Sequence, residues 1–184
     1  MSPRPEACPG RGRSLYGKMN NIHDHLYYEL LMRSVTAFRA ALAGPDTDGA
    51  EHDTPTIDDY LIVLRGEKMN LHGWATGHPK LGDAYIQTSL LIHVTQDEKW
   101  ARTLSRWYRL ESPRHLDTSQ LSPDADLAGY CIPVGLGGFS APLHLARRLM
   151  ELRPSDLCRI ASEKGFDEVS KTLNDIAKIW PPKV

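Results

Sequence analysis

Apolar residues recur at helical spacing over residues 21–43, and this is the clearest pattern in the chain. The recurring positions are Ile22, Leu26, Leu30, Leu31, Val35, Phe38 and Leu42. Spacings of three and four residues predict an amphipathic helix with these side chains on one face. Asn20 or Asn21 can cap its start, and the pair Gly44 and Pro45 is expected to end it.

The pattern changes to a period of two in the middle of the chain. Three runs, DYLIVLR, KMNLHGWATG and AYIQTSLLIHV, are rich in β-branched and aromatic residues and are separated by turns that contain glycine or proline. Alternation of this kind predicts strands, and the short turns predict an antiparallel meander. YCIPVGLGG can add a further short strand near residue 132.

Residues 100–110, WARTLSRWYRL, fit two patterns. A helix would place Trp100, Leu104, Trp107 and Tyr108 on one stripe. A strand would place Trp100, Arg102, Leu104, Arg106 and Tyr108 on one face. The hydrophobic pattern leaves both structures open.

Residues 140–180 return to helical spacing and predict three helices. The first has Pro142 in its first turn, a position that proline favours. Pro154 and Ser155 are expected to start a separate short helix, which Gly165 ends. The third helix stops before Pro181 and places Val169, Leu173, Ile176 and Ile179 on one face.

Together these elements predict an α+β fold, in which an N-terminal helix packs on an antiparallel sheet of three to five strands and a small C-terminal helical subdomain follows. Proline, glycine and basic residues make residues 1–18 a predicted disordered tail; Met19 follows it directly, and a start at Met1 or Met19 stays open. Residues 19–118 are the predicted core domain, 119–139 a linker with a short strand, and 140–184 the helical subdomain.

Composition narrows the function classes. A formal net charge of -1 argues against a globally basic protein that binds nucleic acid or a membrane surface. No apolar run approaches the length of a membrane span, and the N-terminus lacks the apolar stretch of a signal peptide. The three cysteines are widely spaced, with no C-x-x-C pair. We therefore expect a cytoplasmic protein without a metal site or cofactor.

One block resembles a known group of sequences. Its residues are Gly77, His78, Pro79, Leu81, Gly82 and Asp83, then Thr88 and Ser89, then the run from Trp100 to Leu110. Over about residues 57–112 the chain resembles a family of small, uncharacterised bacterial proteins, found mainly in alphaproteobacteria and their mobile elements. Where that family usually has glycine after the last leucine, this chain has Glu111. No activity is known for the family, so the resemblance implies no catalytic residue; it favours a strand at residues 100–110, as the end of a meander.

Arginine and aromatic side chains make this same run the strongest candidate for a binding surface. Residues 99–115 contain five positively charged residues and one negatively charged residue. The candidate surface residues are Trp100, Arg102, Arg106, Trp107, Tyr108 and Arg109. Arginine and aromatic residues are enriched at protein interfaces, and they also bind single-stranded nucleic acid. An amphipathic element that anchors its aromatic residues in the core would show the same pattern.

His78, Asp83 and Ser89 form a weaker candidate site. A turn histidine beside a carboxylate and a hydroxyl could act as a general base. The sequence has no nucleophile-elbow motif, however, and the residues favour a turn histidine that bonds its own loop over a catalytic one.

Three hypotheses about function follow. The first is a non-enzymatic accessory or regulatory protein that binds another protein through the Arg and aromatic surface. The second is a nucleic-acid-binding regulator that uses Arg102, Arg106, Arg109 and the C-terminal helices. The third is a small hydrolase-like enzyme built around His78, Asp83 and Ser89. A homo-oligomer is compatible with all three.

Overall fold

The computed structural model describes residues 22–46, 54–116, 132–135 and 137–183. The helices are α1 (Ile22–Ala43), α2 (Leu143–Glu163) and α3 (Asp167–Ile179). The strands are β1 (Thr56–Arg65), β2 (Lys68–His78), β3 (Gly82–Gln87), β4 (Leu91–Val94), β5 (Trp100–Thr103), β6 (Trp107–Leu110), β7 (Ile132–Gly135) and β8 (Gly138–Ser140). The predicted tail, residues 1–18, and much of the predicted linker lie outside the described residues.

Within the described residues the sheet has eight strands and mixed pairing, so the prediction of three to five antiparallel strands is wrong. Its main path runs β3-β2-β1-β6-β5-β4. The two end strands are successive pieces of one bent segment, because Thr88 N–H still bonds Leu71 of β2 while Leu90 accepts from Leu104 after β5. The path therefore returns on itself. If β3 and β4 are counted as one bent strand, then β1, β2, β3–β4, β5 and β6 run alternately up and down. The fifth of these strands, β6, therefore lies beside β1 and runs in the same direction, and the two pair in parallel.

β1 contains a bulge and pairs with two different strands along one of its edges. β1 pairs with β6 at its start and with β8 near its end. Between them, register is lost from Asp58 to Leu61, and Asp59 adopts a φ of 48°. Gly73 on β2 lies against this bulge: a Cβ there would come within 2.6 Å of Ile57 Cγ2 and 2.8 Å of the Asp58 carbonyl oxygen. The absence of a side chain at Gly73 therefore permits the close approach of the two strands.

Two hydrophobic clusters stabilise the fold. The first fills the inside of the curved sheet and includes Ile57, Ile62, Met69, Leu71, Ile86, Leu91, Val94, Tyr108 and Leu110, with Ala146 and Met150 contributed by α2. The second joins the three helices to the other side of β4 and includes Leu31, Val35, Phe38, Ile92, Phe166, Val169, Leu173 and Ile176. β4 is buried on both faces because it separates the two clusters.

α1 has the predicted bounds to within one residue, but only part of its predicted apolar face is buried. Leu31, Val35 and Phe38 pack in the second cluster. Ile22 and Leu26 are 72% and 56% exposed. Leu30, in the middle of α1, is also 40% exposed, so the predicted face divides into an exposed stripe and the buried stripe of Leu31, Val35 and Phe38.

α2 is one helix, so the predicted break at Pro154 is wrong. A proline inside a helix removes the N–H that would bond the carbonyl four residues earlier, here that of Met150. The indole Nε1–H of Trp180 donates to this carbonyl oxygen at 3.0 Å. Pro154 is itself buried. A side chain from the end of the chain thus satisfies the group that the proline leaves without a partner.

Candidate binding surface

Residues 100–110 form a β-hairpin. β5 and β6 pair with Ala101 opposite Tyr108 and Arg102 opposite Trp107. Thr103 holds the turn: its N–H donates to the Arg106 carbonyl oxygen at 2.9 Å, and its hydroxyl oxygen accepts from the Arg106 N–H at 3.3 Å. These residues form two strands joined by a turn. Neither the predicted single helix nor the predicted single strand includes this turn.

The reversal of the chain decides which side chains face outward. Ala101, Thr103, Tyr108 and Leu110 are buried. The opposite face carries Trp100 and Arg102 from β5 and Trp107 and Arg109 from β6. We call these four residues, with Arg106 in the turn, the Arg–Trp face. It keeps five of the six residues that the sequence proposed for a surface.

Tyr108 is the sixth, and it belongs to the core. Its side chain is 2% exposed. Its ring stacks on that of His78, with centroids 6.3 Å apart. Burial raises the pKa of the Tyr108 hydroxyl. The sequence analysis placed Tyr108 on the outer face because it assumed one continuous strand. The turn shifts the alternation of inward and outward side chains in β6.

Arg102 and Arg106 carry charges without a carboxylate partner among the described residues. Both side chains are half-buried, and the Nε atom of each is buried without a hydrogen-bond acceptor. Burial lowers the pKa of Arg102. Arg109 has a loose partner, with Nε 3.7 Å from a Glu111 carboxylate oxygen. A desolvated guanidinium without a partner costs free energy, so the Arg–Trp face is poised to accept an anionic group.

The arginines of α2 are used differently. Arg147 Nη2 donates to the Thr95 carbonyl oxygen at 3.1 Å, and Arg153 Nη2 donates to that of Glu67 at 3.2 Å. Arg159 pairs with Glu163 on the same helix. In addition, α3 begins with two acidic residues. Three arginines of α2 therefore have partners within the fold, whereas Arg148 is exposed.

An exposed aromatic pair extends the outer face of the sheet. Trp74 on β2 lies directly opposite Tyr85 on β3, and each is 49% exposed. The Arg114 guanidinium lies over the Tyr85 ring, 5.3 Å from its centroid, and pairs with Asp59. Sequence reasoning missed this pair, although the alternation of buried positions in β2 could have placed Trp74 outward.

His78 and Asp83 lie at the same β2–β3 turn, but the hydrogen bonds of His78, Asp83 and Ser89 go to other groups. His78 Nδ1 accepts from the N–H groups of Lys80 and Leu81 at 3.2 and 3.1 Å, within its own turn. The Asp83 carboxylate accepts from Gly77 N–H at 2.9 Å, and the Ser89 hydroxyl bonds that of Ser105 at 2.9 Å. Burial, and secondarily the charge of Arg106, lowers the pKa of His78. Each group has a structural partner, and none of these hydrogen bonds joins two of the three residues.

His93 is a buried group that sequence reasoning did not single out. Its side chain is 6% exposed, and its Nε2 has no hydrogen-bond partner. The Trp180 ring meets it edge-on, with centroids 5.6 Å apart. Burial, followed by the charge of Arg147, lowers its pKa from 6.5 to about 4. The imidazole is therefore neutral in the folded protein at neutral pH.

We expect stability to fall as the pH drops from 6.5 toward 4. Between these values the unfolded chain binds a proton at His93 that the folded protein excludes. The stabilisation is complete above pH 6.5, and its loss should reach roughly 2 kcal/mol after allowance for solvent screening. Urea unfolding of the wild type and of His93→Gln at pH 7.5 and 4.5 checks this, because the variant should lose less stability across the interval. His144→Gln, at an exposed position on α2, should behave as the wild type. Equal pH slopes for all three proteins would contradict the assignment.

Two further properties concern the described residues. No group of three or more His, Cys, Asp or Glu side chains among them is placed to hold a metal ion. No helix in the described ranges is long and apolar enough to cross a membrane.

The fold and these placements define an α+β protein with a sheet that closes on itself and an outer face rich in arginine and aromatic residues. The model of a family of unknown function, DUF6634, matches residues 18–142. The chain belongs to this family. The match is wider than the expected block at residues 57–112 and takes in α1 and all eight strands, whereas α2 and α3 lie beyond it. The chain matches no curated protein and no solved structure.

Proposed function

We propose that the protein is a non-enzymatic accessory or regulatory protein that binds another protein through the Arg–Trp face. The observation that carries this proposal is the pair Arg102 and Arg106, which are half-buried and have no acidic partner among the described residues. Beside them, Trp100 and Trp107 face outward. Partly desolvated arginines flanked by tryptophans are typical of interface hot spots. A bacterial origin and an association with mobile elements, which the sequence resemblance implies, are part of the same proposal.

Mixed charge on the outer face favours a protein over nucleic acid. Asp58 and Asp59 are exposed near the aromatic pair, and Glu111 lies beside Arg109. Glu111 and Asp59 offset the charges of Arg109 and Arg114, which leaves fewer free cations for a phosphate backbone, whose binding depends on neutralising several phosphates. A protein segment can place carboxylates against Arg102 and Arg106 and other groups against the acidic residues.

The Arg102 side chain allows binding to be separated from folding. Replacing a desolvated, unpaired charge with a neutral side chain should leave stability unchanged or raise it by about 1 kcal/mol. We therefore expect Arg102→Gln with Trp107→Ala to fold normally and to weaken partner binding by about tenfold or more. Arg148→Gln, at an exposed position on α2, is the matched control and should bind as the wild type.

The experiment uses the full chain as bait in an extract of its native host, followed by titration of the recovered partner in purified form. The proposal requires a partner that the wild type and Arg148→Gln bind equally and the double variant binds weakly. A partner that the double variant binds as tightly as the wild type would overturn it. So would the absence of any partner together with a monomeric protein in solution. Gel shifts with single-stranded oligonucleotides at low salt form the other arm: tight binding that Arg106→Gln abolishes would replace the protein partner with nucleic acid.

A further inference from the structure

A small open cleft lies where α1 meets the turn of the β5–β6 hairpin. Its volume is about 260 Å³. α1 contributes Met32, Arg33 and Thr36, and the hairpin contributes Arg102, Leu104 and Ser105. Ligand pockets for drug-sized molecules begin at roughly 300 Å³. The cleft therefore has room for a single small group rather than for a whole cofactor.

The charge of the cleft is unbalanced. Arg33 and Arg102 come from separate elements, yet both line it, and its lining includes no carboxylate. Among the described residues, neither guanidinium has an ion pair or a hydrogen bond, and Arg102 Nε is buried without an acceptor. Arg114, Arg147 and Arg159 each have a carboxylate within 4 Å. Two cations therefore line one cleft with no carboxylate between them; Arg102 is half-buried, and Arg33 is exposed to solvent.

The hydroxyl groups of the cleft are partly committed. Thr36 Oγ1 donates to the Met32 carbonyl oxygen at 3.1 Å, as part of α1. Ser105 Oγ is shared with the hydroxyl groups of Ser89 at 2.9 Å and Thr103 at 3.3 Å. The free donors are therefore those of the two guanidinium groups. Guanidinium groups bind the oxygens of phosphate and carboxylate in pairs, through charge-assisted hydrogen bonds.

We propose that this cleft binds a phosphate monoester, presented by a phosphorylated side chain of the protein partner. A phosphate monoester carries between about 1.5 and 2 negative charges at pH 7, which matches two arginines. A carboxylate or a phosphodiester carries one charge and would leave one guanidinium unbalanced. The identification of a partner's side chain rests on the proposed function, since Arg102 belongs both to the cleft and to the Arg–Trp face. Free inorganic phosphate is the other source of the same chemistry.

The test is a titration of the full chain, at constant ionic strength, with inorganic phosphate and with a phosphoserine peptide. The same peptide without phosphate, and a single-stranded oligonucleotide, complete the set of probes. NMR at the arginine Nε–H resonances and calorimetry report on binding. We expect the phosphoserine peptide to bind more tightly than phosphate and to shift the Arg102 resonance. Arg33→Gln and Arg102→Gln should each weaken its binding by about tenfold. Arg39→Gln, at an exposed position on the same helix but outside the cleft, should change it less than about twofold.

Several outcomes would overturn the inference. One is a phosphopeptide that binds no better than its unphosphorylated form. Another is equal binding by Arg33→Gln and Arg39→Gln. A third is an oligonucleotide that binds more tightly than the phosphopeptide, and a fourth is inorganic phosphate that binds as tightly as the peptide, which would make the free anion the ligand.

Failure here is distinguishable from failure of the proposed function because Trp107 does not line the cleft. If Trp107→Ala loses the partner while Arg33→Gln binds phosphopeptide normally, only the cleft inference fails. If phosphopeptide binding depends on Arg33 but Trp107→Ala retains the partner, the Arg–Trp face is not the docking surface.

Discussion

Replacing Trp180 with alanine is expected to lower the free energy of unfolding by about 3 kcal/mol, the lower end of the range for removing a large aromatic side chain. Trp180 packs edge-on against Phe38, with ring centroids 4.9 Å apart, and against His93. Its indole N–H also bonds the Met150 carbonyl oxygen that Pro154 leaves free. The change therefore removes both packing in the second cluster and a hydrogen bond that supports α2. Urea unfolding followed by far-UV circular dichroism measures the loss without depending on tryptophan fluorescence.

Two further variants separate the contributions. Trp180→Phe keeps a ring but lacks the N–H, and it should cost about 1 kcal/mol, the usual value of one hydrogen bond. Trp74→Ala removes a tryptophan that is 49% exposed and should cost less than about 1 kcal/mol. If Trp180→Ala is no more destabilising than Trp74→Ala, the proposed support of α2 is wrong.

Gly73→Ala should lower the free energy of unfolding by about 2 to 3 kcal/mol, because a new methyl group has no space. Its Cβ would lie 2.6 Å from Ile57 Cγ2, 2.8 Å from the Asp58 carbonyl oxygen and 3.1 Å from the Tyr60 Cα. Two of these contacts are with backbone, which cannot rotate away. β1 and β2 must then separate at the bulge, and Trp74 must move with them.

A glycine elsewhere in the chain provides the control. Gly44 has a φ of 81° and nothing within 4 Å of a built Cβ. Gly44→Ala should therefore cost about 1 kcal/mol, from backbone conformation alone. Chemical denaturation of the two variants decides between the mechanisms. A Gly73→Ala protein as stable as Gly44→Ala would mean that the strands adjust without strain.

Local periodicity predicted the helices and strands that are determined by residues close to them in the sequence. The C-terminal end of α1 follows from Gly44 and Pro45, and the first two strands follow from alternation. By contrast, the closed sheet depends on β1 meeting β6 about fifty residues away, which no local pattern encodes. The continuity of α2 depends on Trp180, which satisfies a carbonyl thirty residues earlier in the chain.

The candidate surface was predictable in composition but not in geometry. Its density of arginine and tryptophan is visible in the sequence. The turn at residues 104–106 is held by the Thr103 hydroxyl. It reverses which residues of β6 face the core, so that Tyr108 is buried. The burial of His93 was hidden for a related reason: the run predicted as one strand bends near Thr88, and both faces of its second half, β4, become covered.

The second hydrophobic cluster joins α1 to α3 and Trp180, which lie far apart along the chain. Phe38 of α1 packs against Trp180, and Lys164 pairs with Asp24 across 140 positions. During synthesis from the N-terminus, α1 leaves the ribosome long before α3, which covers it. The apolar face of α1 is therefore exposed to solvent while the sheet forms. Contacts of such sequence separation also slow folding, because a long loop must close before they form. Nascent chains should therefore depend on chaperones until α3 and Trp180 emerge, and chains truncated before α3 should be degraded by cellular proteases.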